Sequence, residues 1–170
     1  MSYRSSIDGA WSRPVIADST DHGVLGCARP APSIAADSAS GYVHLAYFAE
    51  PVGGGGVFFA HSMDSAATFH APVGIVYGNT PSRASVSARG DRVVVAYEDP
   101  NPSQAIIGLA LSKTMGHIFE QRMQATSENS LARQPVVRIV RDSIRLWWSE
   151  YAADPAISAT RPMYREGKWR

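Results

Sequence analysis

YVHLAYFAE (residues 42–50), RVVVAYEDP (residues 92–100) and DSIRLWWSE (residues 142–150) are three versions of one strand. Each is rich in β-branched and aromatic residues, and each runs into an acidic side chain: Glu50, then Glu98 with Asp99, then Glu150. Tyr47, Tyr97 and Trp147 fall at a constant step of 50 residues. Phe69, Phe119 and Trp169 keep that step, as do Ser62 with Ser112 and Arg83 with Arg133. Agreement of four register marks on one period identifies an internal repeat, the feature to look for before any other.

Working outward from the strand of residues 42–50 and its copies, each unit reads as short strands parted by turns. PSIAAD, RASVSA and PVVRIV precede as first strands, and VFFAHS and IIGLALS follow as third strands. FHAPVGIV and FEQRMQA read as fourth strands, and WSRPVIA near the N-terminus looks like another copy of the fourth. No segment carries a helical period with caps. Four strands per unit of about this length predict an all-β chain made of β-propeller blades. A β-sandwich also spaces its strands this closely, but it does not require a common period.

Composition bounds the function. The chain has 170 residues, 45% hydrophobic and 18% charged, with a net charge of +1. That near-neutral balance offers no electrostatic footprint for nucleic acid or an anionic membrane. Cys27 is the single cysteine, so neither an intrachain disulfide nor a cysteine-based zinc cluster is possible. The five histidines show no HxxxH-type spacing, and the sequence predicts no metal and no cofactor. MSYRSSIDGAW lacks the apolar core of a signal peptide, and no apolar run approaches a membrane span. The expectation is a cytoplasmic protein, with export under a separate upstream signal left open.

The turn between third and fourth strands carries a family mark. Ser62-Met-Asp64-Ser-Ala-Ala-Thr68-Phe69 resembles the Asp-box (BNR) repeat of sialidase-type propellers, S-x-D-x-G-x-T-W/F. Ser112-Lys-Thr114-Met-Gly116-His-Ile-Phe119 is a second copy with Thr at the Asp position, and the first copy has Ala66 where the box has Gly. Asp8-Gly9-Ala10-Trp11 and Glu166-Gly167-Lys168-Trp169 look like shortened copies. A short Asp or Ser side chain bonds turn amides, while the aromatic residue plugs the blade interior. The resemblance spans nearly the whole chain and implies a sialidase-like propeller with its boxes on the face opposite the ligand.

In an up-and-down blade the loops after second and fourth strands share that opposite face. These loops carry Glu50, Glu98, Asp99, Glu150 and Tyr151, and the segments entering the first strands carry Arg29, Arg83 and Arg133. Arg133-Gln-Pro135 resembles the R-x-P start of sialidase blades, a family in which an arginine triad grips the substrate carboxylate. No Tyr–Glu nucleophile pair or Asp acid can be matched to a motif. Because 170 residues are too few for a complete six-bladed enzyme, the expected function is a non-catalytic propeller module that binds a glycan or other anionic ligand, or serves in assembly. The alternative is a sialidase-type glycoside hydrolase. On the adjacent Trp147 and Trp148, one ring is expected in the core and the other between blades or under a sugar.

The units predict one propeller-type domain over residues 1–170. Residues 1–29 give an N-terminal outer strand and loop, 30–78 and 81–128 two blades, and 133–170 a blade lacking its fourth strand. Three blades are too few to close a ring, since propellers have about four to eight. Two chains supply six. The expected partner is thus a second copy, whose N-terminal strand fills the missing outer position under two-fold symmetry.

Overall fold

The computed structural model describes residues 2–3, 6–7, 10–23, 29–101, 103, 106–128, 130–152 and 159–169. Among these every regular element is a strand. The N-terminal segment holds β1 (Ser2–Tyr3), β2 (Ser6–Ile7), β3 (Ala10–Trp11) and β4 (Val15–Ile16). Three antiparallel sheets follow. The first is β5 (Ser33–Asp37), β6 (Tyr42–Ala49), β7 (Gly56–Ser62) and β8 (Val73–Tyr77). The second is β9 (Ala84–Arg89), β10 (Arg92–Glu98), β11 (Ile107–Ser112) and β12 (Gln121–Gln124). The third has three strands, β13 (Ala132–Val140), β14 (Ser143–Tyr151) and β15 (Thr160–Lys168). Each is an up-and-down meander paired in chain order.

The first strands of the three sheets lie side by side and are stitched by serines. Ser33 Oγ accepts the Val86 amide at 3.0 Å, and the equivalent Ser85 Oγ accepts the Val137 amide at 3.1 Å. Ser87 adds a bond from the Ile139 amide at 3.0 Å. Each bond satisfies a first-strand amide that no neighbouring strand of its own sheet reaches.

Apolar layers fill the gaps between sheets. Ala46, Val57 and Phe59 of the first sheet meet Val93, Val95, Tyr97 and Phe119 of the second. Val94, Ala96 and Leu109 on the other side of the second sheet meet Val137, Ile144, Leu146 and Trp148 of the third. The central sheet is thus buried on both faces, which explains why RVVVAYE is apolar without alternation. Burying each of the Val, Leu, Ile and Phe side chains among them contributes about 1.5–3 kcal/mol. Ala17 packs on the outer face of the first sheet with Leu45 and Tyr47, and the Tyr47 hydroxyl donates to Asp18 Oδ2 at 2.8 Å. In the segment expected to give an N-terminal outer strand, β4 pairs with β1 in a separate two-stranded sheet and joins none of the three larger sheets among the described residues.

The step of 50 does not persist through the third sheet. Up to Arg133 it holds: Arg133 stands opposite Ser149, as Arg83 stands opposite Glu98. A bulge then follows between Arg133 and Val136, with Gln134 at a φ of 59°. A bulge inserts one residue, so every later position is shifted to a step of 51. The two hairpin turns agree, since Gly90 (φ 59°) and Arg141 (φ 55°) occupy the same left-handed position. The structural counterpart of Tyr97 is therefore Trp148, which is 7% exposed, and not Trp147, which is 38% exposed and faces away from the second sheet.

The same shift removes one expected turn. Glu166, Gly167 and Lys168 remain inside β15, and Gly167 pairs with Ile144 where Ser62 pairs with Val43. Trp169 consequently lies outside the position held by Phe69 and Phe119, and instead sits beneath the Arg92 guanidinium at 5.7 Å. Asp8 and Gly9 of the other shortened copy lie outside the described residues.

Candidate functional site

The turns of residues 62–69 and 112–119 share one backbone design. In the first, Ser62 Oγ accepts the Ala66 amide at 2.8 Å and donates to Asp64 Oδ1 at 2.7 Å. Asp64 in turn accepts the Thr68 amide at 2.9 Å and the Thr68 hydroxyl at 2.6 Å. In the second, Ser112 Oγ accepts the Gly116 amide at 3.0 Å, and Thr114 Oγ1 accepts the Ile118 amide at 2.9 Å. Thr114 thus makes with one oxygen the bond Asp64 makes with its carboxylate. Hydrogen bonds from the Thr68 hydroxyl, the Thr68 amide and Ser62 hold the Asp64 carboxyl down at about 2.

Both turns lie at the end of the sheets that also carries the first hairpins, because the Ser65 amide bonds the Gly41 carbonyl and the Met115 amide the Asp91 carbonyl. The loops after the second strands lie at the other end and carry the residues singled out from sequence. Arg29 there forms ion pairs with both Asp21 and Glu50. Burial raises the Asp21 pKa, but the Glu50 and Gly23 amides and the Arg29 guanidinium outweigh it and hold the carboxyl below its ordinary value.

Glu98 is 5% exposed and ties two sheets together. It accepts the Arg83 amide at 3.1 Å and the Gln134 amide at 2.7 Å, with the Arg133 guanidinium 3.9 Å away. The Arg83 side chain is exposed. Glu98 thus holds the Arg83 backbone and the Arg133 guanidinium, whereas Arg29 has a separate pair of acidic partners. Asp99 closes its own loop by accepting from the Asn101 amide at 2.9 Å and side chain at 2.6 Å.

Glu150 and Tyr151 border a cleft of about 540 Å³ at this end of the third sheet, together with Ser127, Ser130, Thr160 and Arg161. Tyr151 is 39% exposed. The cleft thus combines an open aromatic ring with hydroxyls, a carboxylate and a guanidinium. The six residues 153–158 of its adjoining loop, and Cys27, lie outside the described residues. Trp147 has no part in it and packs against Tyr164 at 5.4 Å on the open face of the third sheet.

One group had no signal in the sequence spacing. His61, His70 and His117 place a nitrogen each within 4.8 Å of one another, between the first and second sheets at the end bearing the two turns. They lie 9 and 47 residues apart, and only the fold brings them together. Burial first, then the nearby charges of His117, His70 and His44, depress the His61 pKa to about 4.

No family model matches this chain, and no curated protein matches its sequence. Solved structures do match its fold. The Hadza microbial sialidase Hz136 aligns over 95% of this chain at a TM-score of 0.55 and 18% identity. The chain spans 37% of that sialidase's length. A structure from the GH130 family of mannoside phosphorylases, described as containing glycoside hydrolases that target β-1,2 mannosidic linkages in Candida mannan, aligns over 78% of this chain and 47% of its own. Its TM-score is 0.44 and its identity 11%. The fold is a sialidase-like arrangement of antiparallel sheets. No helix among the described residues is long and apolar enough to cross a membrane.

Proposed function

We propose that the chain is a non-catalytic, sialidase-like propeller module that binds a glycan on the face opposite its two Asp-box-like turns. The three sheets act as three blades, the third without its outer strand. The observation that carries the reading is the cleft at Glu150, Tyr151 and Arg161. Sugars are recognised by an aromatic face with a fringe of directional polar groups, and an acidic sugar adds a guanidinium partner. Arg83 and Arg133 extend the same end of the molecule toward an anionic ligand.

The occupied state of Arg29 favours binding over hydrolysis. Its guanidinium already holds two carboxylates, so a triad of Arg29, Arg83 and Arg133 on one substrate carboxylate would require breaking both ion pairs. Glu98 likewise serves backbone amides. The test is titration of the chain with neutral and sialylated oligosaccharides, followed by NMR. Saturable shifts that vanish in Tyr151→Ala and Arg161→Ala support the cleft. Shifts that survive both changes refute it, and steady release of free sugar from a sialoside would establish the hydrolase reading instead.

A further inference from the structure

We propose that His61, His70 and His117 form a binding site for a divalent first-row transition ion, zinc above all, that clips the first and second sheets together. The site belongs to the end of the molecule opposite the cleft and stands apart from the glycan reading.

Three observations converge on it. The first is proximity: the His61 and His70 rings stack with centroids 4.5 Å apart, and the His117 ring meets His61 edge-on, also at 4.5 Å. The second is an orphaned nitrogen. His61 is 3% exposed, and its Nε2 is buried without a hydrogen-bond partner among the described residues. A buried polar atom left so carries a desolvation cost of about 1–3 kcal/mol unless something occupies its lone pair. A metal ion does so. The third is rigidity of the backbone that presents the rings. The His70 amide bonds the His61 carbonyl at 2.9 Å, and the His117 amide bonds the Thr114 carbonyl at 3.0 Å. Each of the two exposed rings thus grows from a hydrogen-bonded turn.

The chemistry selects the class of ion. Three neutral imidazoles with no thiolate suit zinc, copper or nickel rather than calcium or magnesium, which want oxygen. Zinc–nitrogen bonds of about 2.0–2.1 Å in a tetrahedron set neighbouring nitrogens about 3.3 Å apart. The present spread of up to 4.8 Å closes by rotation of the exposed His70 and His117 side chains. Three protein ligands leave a fourth position for water or an anion, the arrangement of open zinc sites. Since His61 and His70 come from the first sheet and its turn, and His117 from the turn of the second, the ion would cross-link the two.

The experiment is calorimetric titration of the untagged chain with zinc at neutral pH, paired with cobalt to read coordination from visible absorption. One equivalent should bind, with the intense cobalt bands of a low-coordinate imidazole site, and zinc should raise the melting temperature. His70→Gln and His117→Gln should each weaken binding at least tenfold and together abolish it, while the metal-free urea midpoint stays unchanged. Exposed His22→Gln should bind as the parent does. Absence of saturable binding, or binding that persists in the His70→Gln, His117→Gln double variant, overturns the site. So would an equal loss in His22→Gln.

Discussion

At the scale of single residues the two turns make a matched experiment. Ser65 and Ala66 have φ of 57° and 66°, and Met115 and Gly116 have 58° and 90°. A left-handed φ costs an L-residue about 1–2 kcal/mol and glycine nothing. Ala66→Gly should therefore stabilise the chain by roughly 0.5–1 kcal/mol, after the loss of one buried methyl. Gly116→Ala should do the reverse, and more strongly. An added Cβ would stand 2.4 Å from the Phe59 ring, at a φ only glycine tolerates. A cost of more than about 2 kcal/mol is expected. Urea midpoints check both, and equal effects of the two changes would show that the turns are not equivalent. Asp64 adds a pH dependence. Its folded pKa near 2 lies below the unfolded value of about 3.9, so its contribution is complete above pH 4 and is lost as the pH falls toward 2. Midpoints at pH 5 and pH 2.5 should differ less in Asp64→Thr, which copies Thr114, than in the parent.

At the scale of the element, the decisive event is the bulge between Arg133 and Val136. A one-residue slip exchanges the faces of a strand, so the side chains that reach the second sheet are Ile144, Leu146 and Trp148. Trp148→Ala should cost about 3–5 kcal/mol, and Trp147→Ala about 1 kcal/mol or less. If the two cost the same, β14 is not in this register. Phe119→Ala should also cost about 3–5 kcal/mol, because its ring meets Phe59 edge-on at 5.0 Å. The strands themselves were legible because β-branched and aromatic runs alternate with turn residues at a steady period. The bulge was not, because the apolar run PVVRIV fits either register, and only the backbone at Gln134, with its φ of 59°, decides between them. Trp169 shows the same limit: it keeps the step of 50 from Phe119 by number, yet β15 runs through residues 166–168 and carries it elsewhere. The acidic and arginine residues of the loops were legible as a group, being fixed by topology. The backbone amides that Glu98 accepts, those of Arg83 and Gln134, were not, since only the fold brings Gln134 to it across 36 residues. The histidine cluster was illegible for the same reason.

At the scale of the whole molecule, the two ends of the stack have different surfaces. The outer face of the first sheet is covered by Ala17 and Asp18. The outer face of the third sheet has no such cover among the described residues: Val136, Trp147 and Tyr164 are exposed there, side by side on β13, β14 and β15. β15 also presents a strand edge with no fourth strand beside it among the described residues. An open edge next to an apolar face is a ready surface for pairing. We propose that a second copy of the chain covers both, its N-terminal segment supplying β4 as the missing strand. Exchange of that strand under two-fold symmetry would cover both open edges and give six blades in one ring. Sedimentation equilibrium should then give twice the chain mass of 18.3 kDa. Trp147→Glu, on an exposed face, should shift the mass to the monomer without unfolding it. Deletion of residues 1–16, which removes β4, should do the same, since it leaves Ala17 and Asp18 under Leu45 and Tyr47. A parent chain that sediments as a folded 18.3 kDa monomer defeats the ring, and a dimer indifferent to both changes would mean that the copies meet by some other surface.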